Sequence, residues 1–126
     1  MKYAVDKQDR YAIMSLQDTN LNSVIAPELK SEFVVLANEG IENLIVDLAA
    51  VEYIDSSGLS AILTANRLYS AAGSFIVTGV KSPSVQKLIK ISRLDTILTI
   101  IPTVEESKDY VSMRELEREI NANPEE

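Results

Sequence analysis

The apolar run Leu44-Ile45-Val46-Asp47-Leu48 gives way within a few residues to the polar turn Asp55-Ser56-Ser57-Gly58, and helical spacing begins directly after it. A short run with a β-branched centre suits a strand buried on both faces, and such a strand needs a sheet covered by helices. From Leu59 the apolar positions are Leu59, Ile62, Leu63 and Tyr69, with Ala61 and Ala65 between them, which is a helical pattern. Asp55, Ser56 and Ser57 are all good N-cap types. The turn therefore sets two hydroxyls at a helix N-terminus, where free amide N–H groups and the positive end of the helix dipole favour an anion. Capping alone accounts for the residue types, and the functional reading beside it is a site where a phosphate is written and read.

The rest of the chain follows the same alternation. Residues 2–6 and 10–16 read as two short strands of a hairpin, turning near Asp9-Arg10. Asn22 or Ser23 is positioned to cap a first helix with Pro27 in its first turn, apolar residues at Leu29, Phe33 and Leu36, and an end at Gly40. A strand over 43–50, a helix over 57–72 and a strand over 74–80 come next. Ser82-Pro83-Ser84 opens a short helix to about Ile91, and 97–101 is a further strand. The sequence Thr103-Val104-Glu105-Glu106 has the look of a capping box, and Val104, Val111, Leu116 and Ile120 predict a long last helix packed on the sheet. The expected fold is α/β: a mixed sheet of about five strands with about four helices, in one domain over 1–121, followed by an acidic tail over 122–126.

Composition removes most catalytic classes. With no histidine and no cysteine among 126 residues, a Ser-His-Asp triad, a catalytic thiolate, a zinc-thiolate site and a disulfide framework are all excluded. A serine nucleophile at Ser56 or Ser57 lacks a base, and nothing in the spacing of Lys81 or Lys87 recommends either for that task. Asp47 and Asp55 are the other pair weighed, as acid and base, and no enzyme is expected. A net charge of -7 opposes direct binding to nucleic acid or to anionic membranes. No apolar run approaches the roughly 20 residues of a membrane span, and the first residues lack the apolar core of a signal peptide, so no membrane insertion and a cytoplasmic location are expected. No phosphate-binding loop of the G-x-x-x-x-G-K-[ST] type is present, and neither a cofactor nor a metal is expected.

Taken together, these segments resemble the STAS domain, the fold of bacterial anti-sigma factor antagonists and of the cytoplasmic tails of sulfate transporters. Val46-Asp47-Leu48 followed by Val51-Glu52-Tyr53-Ile54-Asp55-Ser56-Ser57-Gly58-Leu59 looks like the family's strand, spacer and D-S-[ST]-G-L turn. A second stretch, from Val80 to Leu88, resembles the S-P-x-V-x-x-L segment that opens the family's third helix. The resemblance implies a partner-switching module of transcriptional regulation. Its unphosphorylated form would bind an anti-sigma factor, itself a serine kinase of the histidine-kinase-like ATPase fold, and so release a sigma factor. A serine phosphatase would reset the switch. The phosphorylated serine carries over to Ser56, with Ser57 as the alternative, and Asn22, Asp55, Ser57, Gly58 and Leu59 would form the partner-binding surface.

Two departures from the family pattern stand out. Leu21-Asn22 occupies the place of a Leu-Asp pair before the first helix, and Ser92-Arg93-Leu94 stands where many relatives have a small residue and glycine. The alternative reading is a non-catalytic STAS accessory subunit that scaffolds a transporter ATPase complex and needs no phosphate.

Overall fold

A computed structural model describes residues 1–122. Strands β1 (Tyr3–Lys7) and β2 (Ala12–Leu16) form the expected hairpin, antiparallel with Tyr3 opposite Leu16. Strands β4 (Asn43–Asp47), β6 (Ser74–Thr78) and β7 (Thr99–Ile101) extend it in parallel, giving a five-stranded mixed sheet of order β1-β2-β4-β6-β7. Helices α1 (Ala26–Asn38), α2 (Ser56–Ser70), α3 (Pro83–Ile91) and α4 (Val104–Ala122) complete the architecture. A separate pair of two-residue strands, β3 (Asn20–Leu21) and β5 (Tyr53–Ile54), runs parallel beside the turn at Asp55. No alternation can show in two residues, so this pair had no sequence signal.

The central strand β4 is buried from Asn43 to Val46, as the apolar run Leu44-Ile45-Val46 requires, and it divides two cores. Leu44 and Val46 face Leu29, Phe33 and Leu36 of α1 and Ile62 and Ala65 of α2. Burying each such large side chain contributes about 1.5–3 kcal/mol. Phe33 meets Phe75 edge to face with centroids 6.0 Å apart, and Tyr69 stacks on the same ring while its hydroxyl donates to the Phe33 carbonyl at 2.7 Å. On the opposite face, Ile13, Ile45 and Ile76 pack under Val111 of α4. Asn43, buried at the start of β4, donates to the Arg10 carbonyl (2.6 Å) and to Glu115 of α4 (2.8 Å) and accepts the Ser74 N–H (2.9 Å).

Three expectations need correction. The strand over 97–101 is only Thr99–Ile101. Arg93 enters the left-handed region (φ 56°), and a 3-10 turn over Leu94–Thr96 follows, whose Leu94 carbonyl accepts the N–H groups of Ile97 and Leu98. Those two residues are therefore spent on a turn. The capping box at α4 is incomplete: Thr103 Oγ1 accepts the Glu106 N–H and also meets the Glu106 carboxylate, both at 3.1 Å, so that carboxylate turns to the hydroxyl. Finally, Leu116 and Ile120 do not pack on the sheet. Five residues separate Val111 from Leu116, about 140° around a helix of 3.6 residues per turn, so Val111 faces inward and Leu116 outward. Helix α4 carries on through Asn121 and Ala122, and residues 123–126 lie outside the described residues.

Candidate functional site

The turn before α2 is built by two short-range devices. Asp55 takes an extended backbone (φ -94°, ψ -177°) and its Oδ1 accepts the Gly58 N–H at 2.9 Å, a side-chain N-cap. Ser56 is the first residue of the helix and is exposed, Ser57 is half-buried, and neither hydroxyl has a hydrogen-bond partner among the described residues. Gly58 is buried, and a Cβ there would lie 2.8 Å from Leu21 Cβ and collide with the Leu21 carbonyl. Glycine is thus required for α2 to approach β3 so closely.

Pairing of Leu21 with Ile54 fixes what stands next to this turn. The Leu21 carbonyl accepts the Asp55 N–H at 3.0 Å, so Asn22 follows directly beside the serine turn. Asn22 Oδ1 accepts the N–H groups of Val24 (3.1 Å) and Ile25 (3.3 Å), capping the turn that leads into α1. Asn22 therefore caps that turn and Ser23 does not, while α1 proper, which follows Ile25, has no side-chain cap. The α helix itself begins only at Ala26, with Pro27 in its first turn as expected. Leu59, by contrast, is half-buried against the α1–α2 core and offers only part of its side chain to the surface.

Two grooves flank the turn. The first, about 350 Å³, is lined by Ser23, Pro27, Lys30, Ser56, Ser57 and Ser60. Lys30 is half-buried and makes no ion pair among the described residues, so this groove holds one uncompensated positive charge beside Ser56. The second, about 580 Å³, is lined by Glu52, Tyr53, Lys81, Ser82, Pro83 and Ser84. Here the two sequence motifs touch: Ser82 Oγ donates to the Glu52 carbonyl at 2.6 Å and accepts the Val85 N–H at 3.3 Å, capping α3. Tyr53 (58% exposed) lines this second groove, and Val24 (83% exposed), next in the chain to Ser23 of the first groove, is open to solvent.

Reasoning from sequence missed Lys30, Val24 and Tyr53 as site neighbours. Lys30 had a signal in principle, since it lies within one turn of Pro27 on the helix that Asn22 leads into. Among the described residues no cluster of His, Cys, Asp or Glu is arranged to hold a metal ion, and no helix is long and apolar enough to cross a membrane.

The comparisons with known proteins agree on the fold. The family model of the STAS domain matches residues 2–107. BtrV of Bordetella bronchiseptica, which carries the name of an anti-sigma factor antagonist, is 31% identical over 101 residues, covering 79% of this chain and 85% of that protein. The crystal structure of an anti-sigma factor antagonist from Mycobacterium paratuberculosis superposes with a TM-score of 0.79 at 22% identity, covering 88% of this chain and 93% of that one. The anti-sigma factor antagonist SpoIIAA in its unphosphorylated form gives a TM-score of 0.73 at 22% identity over 88% of this chain and 96% of its own. SpoIIAA of Bacillus in its phosphorylated form gives 0.66 at 22% identity over 87% and 99%. With the serine turn, the spacer and the Ser82-Pro83 helix start all set on this sheet, the chain belongs to the STAS domain family, and its named relatives there are anti-sigma factor antagonists.

Proposed function

We propose that this protein is an anti-sigma factor antagonist whose unphosphorylated form binds an anti-sigma factor and frees a sigma factor, and that phosphorylation of Ser56 switches the binding off. The observation that carries this reading is the state of Ser56: exposed, unpartnered, first in α2, and in a groove whose one cation is Lys30. The existence of SpoIIAA structures in unphosphorylated and phosphorylated forms supports it by analogy of fold.

The switch requires no refolding. A phosphate adds roughly -1.5 to -2 charges and three acceptor oxygens. In the free protein the open amides of α2 and the Lys30 ammonium can hold that charge. An interface that covers Ser56 must strip water from it, and Asp55 next to it adds like-charge repulsion. The role is non-catalytic and cytoplasmic. The kinase is the anti-sigma factor, of the histidine-kinase-like ATPase fold, and a serine phosphatase restores the active form. Ser57 is the poorer acceptor because it is half-buried. Asn22, Asp55, Ser57, Gly58 and Leu59 shape the docking surface, with Val24 and Tyr53 as exposed apolar contacts.

A pull-down with the purified anti-sigma factor tests this. Ser56→Ala is expected to retain capture, and Ser56→Asp to lose it by about a hundredfold or more, the scale of an uncompensated charge forced into an interface. Equal capture by both variants would refute the charge switch.

A further inference from the structure

We propose that the solvent side of α4 is a docking strip for a basic amphipathic helix of a partner protein. Met113, Leu116 and Ile120 are 60%, 53% and 61% exposed. Spacings of three and four residues align them in one stripe about 10 Å long on a helix rising 1.5 Å per residue. The stripe faces away from Val111, which seats α4 on the sheet.

Charge selects the occupant. Glu106, Asp109 and Glu117 border the stripe on the same side of the helix. All three cations of α4 are already engaged by its own carboxylates: Lys108 with Glu105 (3.0 Å), Arg114 with Glu117 (2.8 Å) and Arg118 with Glu115 (2.9 Å). Glu106 and Asp109 face no cation among the described residues, so the rim is net negative. An apolar stripe with an acidic border is complementary to a helix carrying apolar residues at i, i+3 and i+7 flanked by lysine or arginine. The same border opposes a second copy of this chain, which would bring carboxylate to carboxylate, and opposes anionic lipid.

The strip lies beyond residue 107, where the match to the STAS family ends, and on the sheet face opposite the α1–α2 core that carries Ser56. Its occupancy is therefore independent of the serine turn.

The test uses the full chain and two labelled helical peptides of about 18 residues, a length long enough to form helix on a surface. Both carry a leucine stripe, one flanked by lysine and the other by glutamate, and binding is read by fluorescence anisotropy. The control is the triple variant Met113→Gln, Leu116→Gln, Ile120→Gln, which keeps the charge and a good helix former at each position, with its fold checked by circular dichroism. The lysine peptide is expected to bind the parent chain, to weaken with salt, to lose about tenfold or more in the triple variant, and to bind Ser56→Asp unchanged. Unchanged binding to the triple variant, equal binding of the glutamate peptide, or no binding of either would overturn the proposal. So would dimerisation of the parent that the triple variant abolishes, or stripe-dependent binding to phosphatidylserine vesicles.

Discussion

The carbonyl oxygen of Leu21 accepts the amide N–H of Asp55 at 3.0 Å, and Gly58 closes over the same peptide one helical turn later. This contact fixes the serine turn against the segment that leads into α1. A methyl group at position 58 would meet the Leu21 backbone, so Gly58→Ala must push α2 and β3 apart. A stability loss of about 1–3 kcal/mol is expected, typical of an overpacked contact. Urea denaturation reads it, and backbone amide shifts at Leu21, Asn22 and Asp55 should move with it. An unperturbed Leu21 amide would contradict the tight approach.

Lys30 sharpens the account of the phosphate. In the protein phosphorylated at Ser56, an ammonium in the same groove favours the dianion of the phosphate, whose second pKa is ordinarily near 6. Lys30→Ala is therefore expected to raise the second pKa measured by phosphorus NMR relative to the phosphorylated parent. An unchanged titration would remove Lys30 from the site.

Tyr69 makes stability depend on alkaline pH. Burial first, then the carboxylates of Glu32 and Glu39, push its hydroxyl from 10.0 up to about 12. The folded state thus holds this proton more tightly than the unfolded chain does. Its contribution is complete below pH 10 and is lost as pH rises from 10 through about 12. Tyr69→Phe removes the hydrogen bond to the Phe33 carbonyl and should cost about 1 kcal/mol at neutral pH. Its stability should also fall less steeply than the parent's above pH 10, as read by chemical denaturation across that range. A parallel decline in both proteins would contradict the assignment.

Arg93 occupies a left-handed position (φ 56°) just after α3, where a side chain is strained and glycine is not. Arg93→Gly is expected to raise stability by about 1 kcal/mol, because relief of the strain exceeds the entropy that glycine adds to the unfolded chain. A thermal melt decides it, and destabilisation would show that the arginine side chain makes up for its backbone.

The features read well from sequence were those in which one residue acts on its near neighbours. Asp55 caps α2, Ser82 caps α3 and Pro27 opens α1 as their types require. The buried strand β4 declared itself by the apolar, β-branched run Leu44-Ile45-Val46, and all three side chains are buried. What escaped was set by tertiary pairing. Strands β3 and β5 have two residues each and exist because each finds the other. Asn43 gives no hint in sequence that its amide links Arg10, Ser74 and Glu115. In α4 the apolar positions were visible but their phase was misjudged: Val111 and Leu116 lie on different sides of the helix. At the site, the serine turn and Asn22 were evident separately, and their proximity depends on the β3–β5 pair. Lys30 enters the groove only because α1 packs beside α2.

The most direct measurement is purification of the tagged protein from its native cells, with mass spectrometry of the bound partners and of the peptide containing Ser56. The account predicts a partner of the histidine-kinase-like ATPase fold, recovered only with chains unmodified at Ser56, while phosphorylated chains are recovered alone. A transporter ATPase as the stoichiometric partner, with Ser56 always unmodified, would contradict the phospho-switch and establish a constitutive scaffold in its place.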